Sequence, residues 1–299
     1  MSQACAVCGG RDLRPRFRVA DRAGPEGFVP TTLRYGRALG DIVRCARCGH
    51  MQLSPMPAAE RLEAGYAEAA SGDYLEEEIG QRATARAALA RIERHAKVGR
   101  LLDVGAWTGF LLAEARDRGW EGTGLEPSRF ASAYARERLG LDVRTGSLAE
   151  ESAAGEFGAV TMGDVLEHLP DPGAALDRLA GALAPGGVLW LALPDAGSRV
   201  ARVMGRRWWS VLPTHVHYFT RASLRRLLES RGWRVLEVGT APKSFTVRYY
   251  LGRLAGYSPP LSRGLIAAAE AAGVADRLWT PDFGDRMEVV ARRPGPASS

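Results

Sequence analysis

Ten residues, Leu101–Phe110 (LLDVGAWTGF), limit what this chain can fold into more than any other stretch. Leu101 and Leu102 form an apolar run that ends in an acid, Asp103. Gly105 and Gly109 follow, and from Phe110 to Ala115 the apolar residues take helical spacing. A buried strand, a glycine turn and a helix start, in that order, describe one unit of an open parallel sheet. Ligands of such sheets bind outside the carboxyl ends of the strands. Gly105 lets the backbone approach a ligand closely, and Gly109 lets the helix pack near the strand. By itself the G-x-x-x-G spacing is equally compatible with a plain turn.

A second short strand, 122–126, ends in Glu126, 17 residues beyond Gly109 and followed by Pro127 and Ser128. An acid near this spacing meets ribose hydroxyls in nucleotide sites. No G-x-G-x-x-G is present, so a dinucleotide fits poorly. The two motifs together resemble class I S-adenosylmethionine-dependent methyltransferases, whose first motif reads D-x-G-C-G-x-G. Ala106 and Trp107 stand where the Cys and the middle Gly of that motif fall. The indole of Trp107 either points away from the cofactor, the reading preferred here, or walls its methionine end.

All four cysteines lie in two C-x2-C pairs, Cys5/Cys8 and Cys45/Cys48, each followed by a glycine. Two such knuckles converge on one tetrahedral metal, so a structural Zn2+ on Cys5, Cys8, Cys45 and Cys48 is expected. Four thiolates close the site and leave no catalytic position. His50 is left out because the site is already full. Short strands are expected at 17–19 and 31–35.

The order then alternates. Strands are expected at 100–104, 122–126, 142–144, 159–163 and 188–193, with helices at 110–118, 128–139, 173–183 and 221–231. That order implies an α/β fold with a parallel sheet. The turn Leu183-Ala-Pro-Gly-Gly187 resembles the L-x-P-G-G before the fifth strand of class I methyltransferases. Segments 233–238 and 286–291 would be the last two strands, the last one antiparallel. The resulting expectation is a Rossmann-like methyltransferase sheet with a small N-terminal zinc-binding module. Residues 1–56 form the module, 57–98 a helical connector and lid in which Tyr66 and Tyr74 flank a turn, and 99–299 the methyltransferase domain. A helical insert at about 241–281 is split at Pro259-Pro260, and the tail after 293 is expected to be disordered.

Within the resemblance, cofactor contacts fall on Asp103, Gly105, Ala106, Gly109, Glu126, Pro127 and Gly163. Ser147 and Leu148, after the third strand, fall at adenine, with Ser147 in place of the usual Asp. The run Asp164-Val-Leu-Glu167-His168 resembles the D-V-L-E-H of small-metabolite methyltransferases. Ubiquinone-pathway O-methyltransferases carry a similar E-x-x-E-H, which implies a divalent metal at Asp164, Glu167 and His168. The alternative is that Glu167 and His168 only brace the loop. His215, with Tyr218-Phe219-Thr220, matches the H-x-x-Y-[LF]-[ST] of sugar methyltransferases that bear a zinc module, where the His is implied to act as base. Catalytic candidates are therefore His215, then His168, with Asp164 as an orienting acceptor. Arg206, Arg207, Trp208, His217 and Tyr218 are candidates for the acceptor; an Arg suits a diphosphate or carboxylate.

The expected reaction is O-methylation of a hydroxyl on a sugar, glycan precursor or secondary metabolite. C-methylation of a nucleotide-linked sugar, RNA methylation and a non-catalytic binding module are the alternatives. The net charge of +6 comes from arginines scattered beside glutamates rather than set in a stripe, which argues against nucleic acid as partner. No apolar run reaches the roughly 18 residues of a membrane span, and no export signal opens the chain, so a cytoplasmic location is expected. The acceptor and the oligomeric state are not legible.

Overall fold

The structure, a computed structural model, describes residues 3–20, 32–70, 75–148 and 156–293. Three strands open the chain, β1 (Leu13–Phe17), β2 (Asp41–Cys45) and β3 (Met51–Ser54), followed by α1 (Ala59–Ala67) and α2 (Glu78–Ile92). The central part is β4 (Arg100–Val104), α3 (Phe110–Asp117), β5 (Glu121–Glu126), α4 (Arg129–Leu139), β6 (Asp142–Thr145), β7 (Phe157–Gly163), α5 (Pro172–Ala182) and β8 (Leu183–Pro194). Then come α6 (Arg199–Met204), β9 (His217–Tyr218), α7 (Arg221–Ser230) and β10 (Arg234–Thr240). The insert holds β11 (Phe245–Thr246), α8 (Val247–Arg253), α9 (Pro259–Ala271) and β12 (Leu278–Trp279), and β13 (Arg286–Arg292) closes the fold.

The large sheet has the order β10-β13-β8-β7-β4-β5-β6. Strands β6, β5, β4, β7 and β8 run parallel, whereas β13 is antiparallel to both β8 and β10. The near-continuous burial of β4 and β7 is what a parallel strand covered on both faces requires. One core layer joins the sheet to α5 and α7, and another joins it to α2, α3 and α4. The chain leaves β4 toward β5 on one side and returns to β7 on the other. The crevice between β4 and β7 is therefore the ligand-binding edge.

The expected α/β sheet with its antiparallel last strand is present. At the front of the chain the details differ. Strand β1 ends at Phe17 rather than spanning 17–19, and 32–35 form no strand. Thr31, Tyr74 and the tail lie outside the described residues. Leu183 ends α5 and pairs with Phe157, and the next ladder pair is Val188 with Ala159, so 184–187 loop out as the expected turn at the start of β8, with Gly186 at φ +79°. Pro259 does mark the break between α8 and α9, as the first residue of the second helix, where its missing N–H costs nothing.

The segment after the second cysteine pair joins a strand far downstream. Strands β1, β2 and β3 form an antiparallel sheet whose fourth strand is β9, with Met51 opposite Tyr218 and Gln52 opposite His217. A shared apolar core, including Ile42, Leu53, Leu62, Trp208, Val211, Val216 and Tyr218, seals this junction. Module and methyltransferase sheet are thus packed into one another. None of the described helices is long and apolar enough to cross a membrane.

Candidate active site

The crest of β4 and β5 forms the first half of the site. Gly105 (φ +74°) sits so close to Val165 that an added Cβ would lie 2.3 Å from its Cγ2. At Gly109 (φ +83°) a Cβ would meet Leu141 Cδ1 at 2.6 Å. The two glycines therefore clear neighbouring parts of the protein: the loop after β7, and the connection from α4 to β6. Gly109 makes room for that connection rather than for its own strand.

Trp107 occupies the left-handed region, at φ +46°. Its position needs a backbone that glycine adopts freely, which is why glycine suits the motif there. The main-chain N–H of half-buried Trp107 donates to Glu126 Oε2 at 2.8 Å. Ser128 N–H donates to the other oxygen at 2.7 Å, with half-buried Pro127 between. Asp103 accepts from Thr161 Oγ1 at 2.7 Å. Both acids are buried. Burial pushes Glu126 up to about 7, and burial together with the nearby Glu126 charge pushes Asp103 up to about 7. Neither has a salt-bridge partner among the described residues. A ligand carrying hydroxyls and positive charge, as S-adenosylmethionine does, fits this pair of uncompensated acids. Ala106 is buried against the same crest, Gly146 N–H bonds to the Glu126 carbonyl at 3.1 Å, and Ser147 is half-buried beside it. Leu148 is buried in the core at that end of the sheet.

The second half lies after β7. Gly163 packs beside Trp190, and Asp164 follows in the left-handed region at φ +56°. Lys243 Nζ and Arg286 Nη1 hold the Asp164 carboxylate at 2.6 and 2.7 Å. Burial opposes its ionisation, but the two cations outweigh burial and hold it far below the usual carboxylate range. Neither cation was anticipated. The available signal was that Lys243 is one of only two lysines in an arginine-rich chain.

The expected triad of Asp164, Glu167 and His168 is not what the fold assembles. Donor atoms of Glu167, His168 and His215, one from each, lie within 4.8 Å of one another, and Asp164 is instead taken up by its two cations. Glu167 is buried, and neither carboxylate oxygen has a hydrogen-bond partner among the described residues. Burial, then the Asp164 charge, pushes it up to about 8. His168 Nδ1 lies 2.8 Å from the Thr214 carbonyl and 2.7 Å from the Tyr66 hydroxyl. His215 Nδ1 lies 2.8 Å from the Ser210 carbonyl. A carbonyl only accepts, so each Nδ1 carries the proton and each Nε2 keeps its lone pair. Burial, with help from the neighbouring His168, lowers His215 to about 3, and burial lowers His168 as well. Both rings are neutral at pH 7.

Three residues expected at the acceptor turn inward. Trp208 is buried and donates its indole N–H to Asp285 at 3.2 Å. His217 is buried between His50 Nε2, at 3.1 Å, and the Pro170 carbonyl, at 3.4 Å. Tyr218 is buried and donates to the His215 carbonyl at 3.2 Å. His217 and Tyr218 lie in β9, paired with β3, and Trp208 and Tyr218 belong to the apolar core that seals the same junction. Arg206 and Arg207 are exposed on a 3-10 turn after α6. Unexpected aromatic rings gather before Arg286: Phe283 lies 5.9 Å from Trp209 and 6.1 Å from Trp279, and Tyr250 lies 5.4 Å from Trp279.

At the front, Cys5 and Cys48 Sγ are 3.6 Å apart, as are Cys8 and Cys45, and all four lie within 4.8 Å. A tetrahedral zinc with ligands at about 2.3 Å sets sulfurs about 3.8 Å apart, so the donor set fits. Gly9 (φ +68°) and Gly49 (φ +73°) supply the left-handed residues of the two knuckles. Burial pushes Cys5 up to about 11. At Cys45 burial is outweighed by hydrogen bonds from the Cys48 and Arg47 backbone and from neighbouring thiols, which bring it down to about 7.

Residues 75–238 match the family model described as a methyltransferase domain. The ubiquinone biosynthesis O-methyltransferase of Dechloromonas aromatica (strain RCB) is 30% identical over 169 residues, covering 52% of this chain and 73% of that protein. C-methyltransferase NovU of Streptomyces niveus is 28% identical over 146 residues, 47% of this chain and 34% of NovU. Among solved structures, the Burkholderia thailandensis 1,6-didemethyltoxoflavin-N1-methyltransferase superposes with a TM-score of 0.54 at 16% identity, covering 83% of this chain and 97% of that one. That likeness concerns the fold. With the sheet, the two-acid crest and the matched residues in view, the chain belongs to the methyltransferase domain family, as an S-adenosylmethionine-dependent methyltransferase.

Proposed function

We propose that the protein methylates a hydroxyl of a small-molecule acceptor: a sugar, a glycan precursor or a secondary metabolite. The observation that carries this reading is the neutral His215 beside His168 and Glu167 at the end of β7, with an unprotonated Nε2. S-adenosylmethionine bound along Gly105–Gly109, with Glu126 at its ribose and Leu148 toward adenine, would supply an electrophilic methyl group. Methyl transfer is an in-line displacement, so holding the hydroxyl in place supplies much of the rate. His215 Nε2 takes the hydroxyl proton as attack proceeds. His168, fixed by Thr214 and Tyr66, is the second proton acceptor. Glu167 Oε1 sits 4.0 Å from His168 Nε2 and lines the same pocket. Asp164 holds the loop through Lys243 and Arg286. Trp279 and Phe283, each nearly half exposed, offer ring faces for an acceptor in place of buried Trp208. Zn2+ on Cys5, Cys8, Cys45 and Cys48 is part of this proposal, as is a cytoplasmic location.

A second reading rests on the same three donors. A divalent ion on Glu167, His168 and His215 would supply Lewis acidity to the hydroxyl. C-methylation, the activity NovU is named for, is the competing outcome for the transferred group. Turnover on an acceptor panel with labelled methyl donor, repeated with chelator, tests the proposal. A product carrying a C-methyl or N-methyl group overturns O-methylation, and loss of activity with chelator at intact zinc content favours the ion over the base.

A further inference from the structure

We propose that Gln52 is a positioning residue, which ties the four-cysteine knuckle to the loop carrying His215 and makes the module part of the reactive scaffold. Gln52 lies in β3, fully buried. Its side-chain oxygen accepts from Ala6 N–H at 2.9 Å, and its side-chain nitrogen donates to the Ala4 carbonyl at 3.1 Å. These two groups flank Cys5. The main chain of the same residue lies opposite His217 in the β3–β9 register. One residue further, Leu53 N–H donates to the Val216 carbonyl at 3.0 Å, and Val216 N–H donates to the Glu167 carbonyl at 3.0 Å. Val216, next to His215, is therefore held by the module on one side and by Glu167 on the other.

A parallel route leaves the second knuckle. Cys45 N–H donates to the His50 carbonyl at 2.9 Å, and His50 Nε2 lies 3.1 Å from His217 Nδ1. His217 Nε2 faces the Pro170 carbonyl at 3.4 Å. The carbonyl fixes the proton on Nε2, so His217 Nδ1 accepts from His50. Both routes start at a cysteine knuckle and end on segments 167–170 and 215–217, where Glu167, His168 and His215 are held. An apolar side chain of equal length at position 52 would fill the same space, yet it would leave Ala6 N–H and the Ala4 carbonyl without their partners. The amide is there for its two hydrogen bonds, not for its volume.

The catalytic consequence rests on the role given to His215 above. The structural link does not, so the test reads amide exchange rather than methyl transfer, and the two proposals fail separately. Hydrogen–deuterium exchange is followed on the full chain in peptides covering 101–126 and 212–220, alongside elemental analysis and calorimetric titration with S-adenosylmethionine. In Gln52→Met, exchange in 212–220 should be at least about tenfold faster, with metal content, cofactor affinity and protection of 101–126 unchanged. Gln52→Glu at about pH 5, where the buried carboxyl is neutral and keeps one donor and one acceptor, should restore protection. Removing the metal from the native chain should open 212–220 together with 41–54, and this arm decides the matter if Gln52→Met does not fold. Native-like protection of 212–220 in Gln52→Met, or metal removal that opens 41–54 alone, overturns the proposal.

Discussion

The main-chain N–H of Trp107 donates to the carboxylate of Glu126 across 2.8 Å, so the turn after β4 is fastened to the end of β5 by a residue whose side chain is foreign to the motif. The contact is made by the backbone. It explains how a bulky residue stands where glycine is usual without dismantling the site.

Glu126→Ala should weaken S-adenosylmethionine binding by roughly 1.5–3 kcal/mol, the size of hydrogen bonds to a charged group. Trp107→Gly, which keeps the main-chain donor and relieves the left-handed backbone, should leave affinity within about threefold. Calorimetry on both variants checks this pair. An affinity loss in Trp107→Gly as large as that in Glu126→Ala would mean that the indole itself contacts the cofactor.

Cofactor affinity should rise with pH. Glu126 and Asp103 are each pushed up to about 7, so below that pH they hold protons that a cationic ligand must displace. Affinity then climbs between about pH 6 and pH 8 and levels off above. Titrations in buffers of different ionisation enthalpy should show proton release on binding near pH 7. Proton uptake would contradict the placement of the cofactor at these acids.

Stability of the ligand-free protein should fall from about pH 6.5 to pH 8. Asp103, Glu126 and Glu167 have folded values raised above their unfolded ones, so their contribution is present at low pH and is lost as pH rises through about 7 and 8. The lowered histidines, His215 at about 3 and His217 at about 4, act in the opposite sense, losing stability only as pH falls below about 6.5. Above about pH 6.5 the histidines no longer offset the acids, so denaturant midpoints should fall between pH 6.5 and pH 8, and a rise over that interval would contradict the raised acids.

Protein purified without a metal-binding tag should carry about one zinc per chain. Cys45→Ser should abolish that zinc and lower the thermal midpoint. A metal-free protein of unchanged stability would leave the four thiols without the proposed role.

His215→Ala should cut turnover by roughly 10²–10⁴-fold, the usual size of a general-base effect, with S-adenosylmethionine affinity intact. Loss of activity with chelator at intact zinc content, and in Glu167→Gln as well as in His215→Ala, would assign the chemistry to an ion held by these residues instead. Loss of cofactor binding in both variants would remove either residue from the reaction.

Much of this protein was legible in its sequence because the relevant signals are local. The glycine turn after Asp103, the acid at the end of β5 and the spacing of Cys5, Cys8, Cys45 and Cys48 are each set within a few residues. The strand-and-helix alternation from Arg100 to Val188 follows from periodicity alone. The fold of the site was decided elsewhere. Asp164 meets Lys243 from the insert and Arg286 from the last strand, and only the closed sheet brings these together. His217, Tyr218 and Trp208 became buried braces instead of acceptor contacts, because β9 pairs with β3 and the apolar core around Ile42, Leu53, Trp208 and Tyr218 closes over the junction. The same pairing drew His215 beside His168 and Glu167, a cluster that no spacing in the sequence encodes. Sequence patterns report which faces need burial and where the chain must turn. Which distant charge reaches a given carboxylate is settled only when the layers pack.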